Sequence, residues 1–322
     1  MTIREIILKC QCPCCADDLS LGPEEEEILC RKGHRFPLIN KRVLVLKVEE
    51  ERRGERKNSH KRAAKSFSQQ WRMFKDGDKI WGKTIEQWRS RFLKHMELSP
   101  QDLQNKWVLD LGCGHGLHSK MIAELGANVI GFDISDGFLG VDAKVAADPV
   151  LRDKAYYIQG DVFHLPFKDG VFDYIWSDGV LHHTADTKKA FACAQRALKK
   201  GGRFHLMVYR KGAPCYNAEK FFRCFTTKLP EPILVVLCYL GAPIFGFLKW
   251  FLNKIGRGYR NFEQKSIREN ALSLHDTLSP PYAWHHSIEE VQGWFKDHQF
   301  TNIVLSDDPA SAAGIYIHAD KS

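Results

Sequence analysis

The chain has 322 residues, 44% of them hydrophobic and 27% charged, a composition that excludes a disordered chain, a collagen-like repeat and a polytopic membrane protein. At about 150 residues per domain there is room for about two units. Forty-seven Lys and Arg against 39 Asp and Glu leave a net charge of +8, which favours anionic partners such as nucleic acid, lipid head groups or acidic metabolites without choosing among them.

Five of the ten cysteines crowd the first 30 residues: Cys10, Cys12, Cys14, Cys15 and Cys30. Residues 1–5 carry no apolar signal region, so the thiols are expected in a reducing, cytoplasmic compartment. Cys12 and Cys15 form a C-x2-C knuckle, and Cys30 with His34 forms C-x3-H after a hairpin-sized gap. Four such soft ligands suit tetrahedral zinc with no open position, hence a structural ion. Cys10 or Cys14 is an alternative to one of the first pair. A head of this size builds little core without a metal. Residues 1–46 therefore read as a zinc-binding unit ending in the strand-like run 43–46. Residues 47–70, with Glu49, Glu50, Glu51, Arg52 and Arg53 at their start, read as a solvated linker or exposed helix without a partner.

Over residues 71–98 the apolar side chains Trp71, Phe74, Trp81, Ile85, Trp88 and Phe92 recur at helical spacing, as in helices that cover something. Short strands then alternate with helices: strands at 107–111, 128–133, 156–159, 172–177 and 203–209, helices at about 116–125, 137–147 and 186–199. This rhythm predicts a doubly wound parallel α/β sheet. Residues 211–262 interrupt it with an apolar run at 232–248 and eight Lys/Arg against two Glu. The run is 17 residues long, shorter than the ~20 of a spanning helix, and Gly241 and Pro243 sit inside it. A lid over a hydrophobic substrate, an interfacial segment held by basic residues, and a buried helix pair are all compatible with it. A helix at 287–298 and strands at 302–306 and 314–319, the latter two an antiparallel hairpin, close the sheet.

The chemistry concentrates where the first of these strands meets a helix, in Asp110-Leu111-Gly112-Cys113-Gly114-His115-Gly116. Glycines there let the backbone turn tightly and approach a ligand. The spacing is G-x-G-x-G, and position 117, where a dinucleotide fingerprint has its third glycine, is Leu117. Asp110 would repel a pyrophosphate but pair with an ammonium group. Asp133 ends the second strand, where a carboxylate accepts both ribose hydroxyls. Asp161, followed by Val162, comes after the third strand, placed to accept from an adenine amine. Amino acid, ribose and adenine together describe S-adenosylmethionine.

With VLDLGCGHG, GFDIS, GDVFHLPFKDGVFDYIWSDGVLHH and LKKGGRF in that order, the chain resembles the class I S-adenosylmethionine-dependent methyltransferases over roughly 71–210 and 263–322. The resemblance implies a seven-stranded Rossmann-like sheet, split by a helical apolar insertion at 211–262. It places Asp110, Gly112, Gly114 and Gly116 at the methionine part, Asp133 at the ribose, and Asp161 with Val162 at the adenine. His182 and Asp178, at the end of the fourth strand, face the ligand crevice as base or substrate-orienting groups, although His182 has a packing role in many relatives. Leu181 stands where ubiquinone-pathway O-methyltransferases carry a second acidic metal ligand, so a catalytic metal is not expected. His285 and His286 either reach the substrate pocket or form a surface turn. The head resembles the zinc ribbons of bacterial 23S ribosomal RNA guanine-N1 methyltransferases, with Cys30, His34 and Phe36 matching their C-x3-H-x-F, and the wider Trm112-type ribbon group.

The expected reaction is methyl transfer to a small, hydrophobic or lipid-linked acceptor by a cytoplasmic enzyme, with peripheral membrane contact. The alternatives are an RNA base methyltransferase gripping phosphate through the ribbon and Arg52, Arg53, Arg56 and Lys57, and a non-catalytic partner-binding scaffold.

Overall fold

The computed structural model describes residues 1–48, 55–73, 83–213, 216–254, 266–306 and 313–322. The head opens with helix α1 (Ile3–Lys9), started by a reciprocal Thr2–Glu5 capping box. Four short strands follow: β1 (Leu19–Leu21), β2 (Glu27–Cys30), β3 (Arg35–Ile39) and β4 (Val43–Leu46). Helices α2 (Glu55–Met73) and α3 (Ile85–Met96) lead into β5 (Trp107–Leu111), α4 (Leu117–Glu124), β6 (Asn128–Asp133), α5 (Leu139–Ala147) and β7 (Ala155–Gly160). Next come β8 (Phe172–Asp178), α6 (Thr187–Gln195) and β9 (Leu198–Arg210), then three helices, α7 (Tyr216–Thr226), α8 (Glu231–Lys254) and α9 (Ile267–Leu278). The chain ends with β10 (His285–His286), α10 (Ile288–Asp297), β11 (Phe300–Leu305) and β12 (Gly314–Lys321).

The seven strands read from the sequence stand side by side as β7-β6-β5-β8-β9-β12-β11. β5 to β9 pair in parallel, and β12 runs antiparallel to both β9 and β11. Strand order reverses between β5 and β8, so this is the point where an open α/β sheet forms its ligand crevice. Apolar runs such as those in β6 and β7 are buried at nearly every position because helices cover both faces.

The sheet does not stop at seven. β4 pairs in parallel with β7, Leu44 opposite Ile158 and Leu46 opposite Gly160, and β3, β2 and β1 continue it, while β10 lies beside β9. Twelve strands result among the described residues. The reason lies in β4 itself, where Val43, Leu44 and Leu46 are all buried, which a free-standing edge strand cannot achieve. Ile6, Ile28, Phe36 and Leu44 of the head share one core with Phe132, Ile158 and Phe172. On the opposite face Trp88, Phe92, Met121 and Trp176 form a second core.

Two expectations are corrected here. The segment read as a partnerless linker ends in α2, whose Ala63, Ser66 and Gln70 are buried. Its Arg62 donates to the Leu229 carbonyl at 2.9 Å, and its Gln70 reaches α9. Glu49 to Arg53, the side chains of Arg56 and Lys57, Phe74 and Trp81, and residues 255–262 of the insertion lie outside the described residues. The insertion is also not a buried helix pair. α8 runs unbroken through Gly241 and Pro243, and only 17% of its most apolar stretch is buried.

Candidate active site and metal centre

Beyond Leu111 the backbone turns through Gly112, Gly114 and Gly116, at φ of +85°, +55° and +83°. Side chains beyond glycine rarely adopt this region. Space is the second constraint. A Cβ at position 112 would lie 2.3 Å from the Val180 methyls, and one at 114 would lie 2.6 Å from the Trp71 indole. Tyr157 packs on Gly116 and donates its hydroxyl to the Gly116 carbonyl at 3.1 Å.

Three acids converge on this turn. Asp133, at the end of β6, accepts the Gly114 amide at 2.8 Å and the Ser135 amide at 2.7 Å, which ties the second strand to the glycine loop. Burial raises its pKa, opposed by those amide bonds. Asp110, buried within β5, accepts the Ser119 hydroxyl at 2.6 Å. Burial, reinforced by the charges of Asp133 and Asp178, pushes its pKa up to about 7. Asp178 ends β8, across the strand reversal from Asp110, 3.6 Å from the Arg91 guanidinium of α3. A fourth acid follows the next strand of the sheet. Asp161 follows β7, where one oxygen accepts the Phe163 amide at 3.1 Å and the other faces His164 at 3.2 Å, and Val162 packs half-buried against the core.

The crevice has a roof that sequence patterns left unassigned beyond the helical spacing of Trp71. The Trp71 ring of α2 stacks on His115 at 4.6 Å and lies against Gly114 and Gly137. Both His115 nitrogens are buried without a hydrogen-bond partner among the described residues, and burial lowers the ring to about 4, so it is neutral. Ser68 accepts the Asp136 amide at 3.3 Å. Gln70 donates to Asp276 at 3.2 Å and meets His275 at 3.1 Å, and His275 meets Glu231 at 3.0 Å. Ser66 and Ser279 are hydrogen-bonded in the same buried network. Ser and Gln on a helix read as surface residues, so no sequence signal marked these.

His182 is completely buried. Its ring packs on Tyr209 at 3.8 Å and on His183 at 4.2 Å, and neither nitrogen has a hydrogen-bond partner among the described residues. Burial holds its pKa well below the ordinary range, so the ring is neutral. His183 is held by the Tyr282 carbonyl at 2.9 Å, and Tyr209 donates to Asp276 at 3.0 Å. His285 and His286 form no surface turn. They pair with β9 as β10, His285 lies 3.6 Å from Glu219, and His286 is bonded to Glu290 and Thr187.

In the head, Cys12, Cys15, Cys30 and His34 converge, their ligand atoms all within 4.8 Å of one another. Cys12 Sγ lies 3.5 Å from His34 Nδ1, and Cys15 Sγ lies 3.5 Å from Cys30 Sγ and 3.7 Å from His34 Nδ1. Metal bonds of about 2.3 Å to sulfur and 2.0–2.1 Å to nitrogen put tetrahedral vertices at this spacing. The Lys32 amide points at Cys30 Sγ at 3.4 Å, orienting one ligand. Cys10 is buried in the core and Cys14 is exposed, and neither joins the cluster.

Comparison with known proteins agrees with the crevice. Residues 109–206 match the methyltransferase domain family. A demethylmenaquinone methyltransferase of Clavibacter sepedonicus is 33% identical over 184 residues, 54% of this chain and 73% of the relative. Another, of Symbiobacterium thermophilum, is 28% identical over 176 residues, 53% of this chain. The chain spans 62% of that relative's length. Among solved structures, a magnesium protoporphyrin IX methyltransferase of Synechocystis with bound S-adenosylmethionine is similar at 15% identity, covering 82% of this chain and 97% of that one with a TM-score of 0.49. The chain belongs to the class I S-adenosylmethionine-dependent methyltransferases.

Proposed function

We propose that this protein transfers the methyl group of S-adenosylmethionine to a small hydrophobic or lipid-linked acceptor, with the quinone precursors named for its relatives as the model class. The observation that carries the reading is the convergence of Asp110, Asp133 and Asp178 on a left-handed glycine loop at the strand reversal, under the Trp71 roof. The residues suit the cofactor. Buried polar atoms of His115 and Asp178 have no hydrogen-bond partner among the described residues, and the carboxylates are matched to an ammonium group and ribose hydroxyls.

Asp110 and Gly112, Gly114 and Gly116 hold the methionine end, Asp133 the ribose, and Asp161 with Val162 the adenine. When bound, the cofactor supplies a methyl carbon made electrophilic by its sulfonium. The chain's own part is alignment and exclusion of water. α2 shuts the crevice from solvent through Trp71, and Arg91 holds Asp178 at the acceptor edge. The neutral His182 ring takes the acceptor's proton on a ring nitrogen, with Tyr209 and His183 fixing its orientation. The Cys12, Cys15, Cys30 and His34 set holds a structural zinc that fixes the head against β7. Thiolate ligands for this ion must be reduced, which suits a reducing, cytoplasmic setting.

The test is incubation of the purified protein with methyl-labelled S-adenosylmethionine and either a bacterial lipid extract or total RNA. Label in the organic phase, lost in the His182→Ala variant, supports the reading. Label in RNA alone sinks it in favour of nucleic-acid methylation.

A further inference from the structure

α8 presents an apolar surface that nothing among the described residues covers. One stripe, Leu234, Cys238 and Ala242, packs against Ala271 and Leu272 of α9. The rest of the circumference faces outward, with Leu240 68%, Ile244 72% and Phe247 65% exposed. The neighbouring α7 adds Phe221 at 62% and Phe225 at 60%. An apolar surface of this kind marks an interaction site.

The charges around it are one-sided. The only acids of α7 and α8 are Glu219 and Glu231, and both turn inward. Glu219 faces His285, and Glu231 is bonded to His275 and Ser279. Among the described residues of α7, α8 and the turn between them, the exposed charges are lysines: Lys220, Lys228 and Lys254. Lys254 lies over the Trp250 ring and Lys249 over the Phe245 ring, so the ammonium groups stand above an aromatic floor. Phe, Trp and Leu on one face with lysine at its border is the pattern of a helix lying in a membrane interface.

We infer that the α7–α8 hairpin docks this protein on an anionic lipid bilayer, lying in the plane of the interface. Among the described residues α8 is the one helix long and apolar enough to cross a membrane, but its contacts forbid that. Its Glu231 end is bonded into the same buried network as α2 and α9, and its Leu234 stripe is occupied by α9. A second copy of the chain is a poorer occupant, because it would bring a surface that is likewise bordered by lysine, with no exposed acid on its own α7 or α8 to pair with them. The inference rests on the proposed lipid-linked acceptor for its purpose: α9 carries Asp276, which Tyr209 bonds, and α7 is tied to the end of α9 through Arg223, so docking through this hairpin sets the lipid beside the elements that flank His182.

The test is co-sedimentation of the full chain with vesicles of phosphatidylcholine alone or with one-third phosphatidylglycerol. The expected result is binding to the anionic vesicles that falls at least about tenfold in the Ile244→Glu/Phe247→Glu variant and falls with added salt in the wild type. Both positions are exposed, so the variant keeps its melting temperature and its affinity for S-adenosylmethionine. Wild-type protein that stays in the supernatant, or a double variant that sediments like wild type, overturns docking. So does a wild-type dimer, seen by sedimentation velocity, that the same variant breaks. Methyl transfer to a detergent-dispersed quinone without vesicle binding removes the docking and leaves the proposed function. Vesicle binding without any labelled lipid keeps the docking and removes the proposed acceptor.

Discussion

The sheet and the α8 helix are built from the same kinds of side chain and use them in opposite ways. Val, Ile, Leu and Phe in β5 to β8 disappear into two cores, and the polar groups left at the strand ends are held by amides and hydroxyls. In α8 the same residue types face outward. Hydrophobicity is therefore spent on folding in one region and kept for a partner in the other. Only the neighbours of each residue, not its type, distinguish the two cases.

That contrast makes the crevice intolerant and the hairpin forgiving, and substitutions should separate them. The largest effect falls on the head. Cys12→Ser removes one of the four proposed ligands, and structural zinc is worth about 10–16 kcal/mol in small zinc units, as much as the whole stability of an ordinary domain. Metal analysis should drop from one zinc per chain to none, and the melting curve should gain an early transition as β1 to β4 peel from β7. Next is His182→Ala, which should lower kcat by about 10²–10⁴-fold as expected for a lost general base. Affinity for S-adenosylmethionine should stay unchanged by calorimetry. If kcat holds, His182 packs rather than reacts.

Gly112→Ala imposes a side chain on a left-handed residue, about 1–2 kcal/mol, and forces Val180 aside, a further 1–3 kcal/mol or so. Cofactor affinity should fall by at least about 10-fold. A smaller effect comes from Asp110, whose pKa is raised from 3.8 to about 7 by burial. The folded chain holds a proton that the unfolded chain has lost, so stability declines as pH rises from about 4 to 7 and is level above that window. A cofactor ammonium needs the ionised carboxylate, so affinity should rise about tenfold between pH 6 and 8, and Asp110→Asn should flatten that rise. The smallest is Leu240→Ser on α8, within about 0.5 kcal/mol of wild-type stability in denaturant unfolding. A cost of several kcal/mol there would show that the hairpin is core after all.

Much of the crevice was legible because its determinants are local. Strand, glycine turn and helix are consecutive in 107–125, and each acid lies within a residue of the end of its own strand. Each cysteine knuckle is equally local in sequence, and the four side chains expected to ligate zinc lie with their candidate atoms within 4.8 Å of one another. What escaped was contact between distant segments. Trp71 over Gly114, Gln70 on Asp276 and β4 on β7 join residues with no shared pattern. The run 232–248 reads as shorter than a spanning helix, with Gly241 and Pro243 inside it. The structure lengthens it, because Trp250 and Phe251 continue the apolar face and Pro243 stands on the exposed side, where its ring disturbs no packing.

The central claim is that the glycine-loop crevice holds S-adenosylmethionine. Native mass spectrometry of the purified chain with added S-adenosylmethionine tests it most directly. One zinc per chain, plus one cofactor that disappears in Gly112→Ala while the zinc remains, is the predicted result. A zinc-loaded, folded chain that takes up no S-adenosylmethionine or demethylated product at any concentration would contradict it.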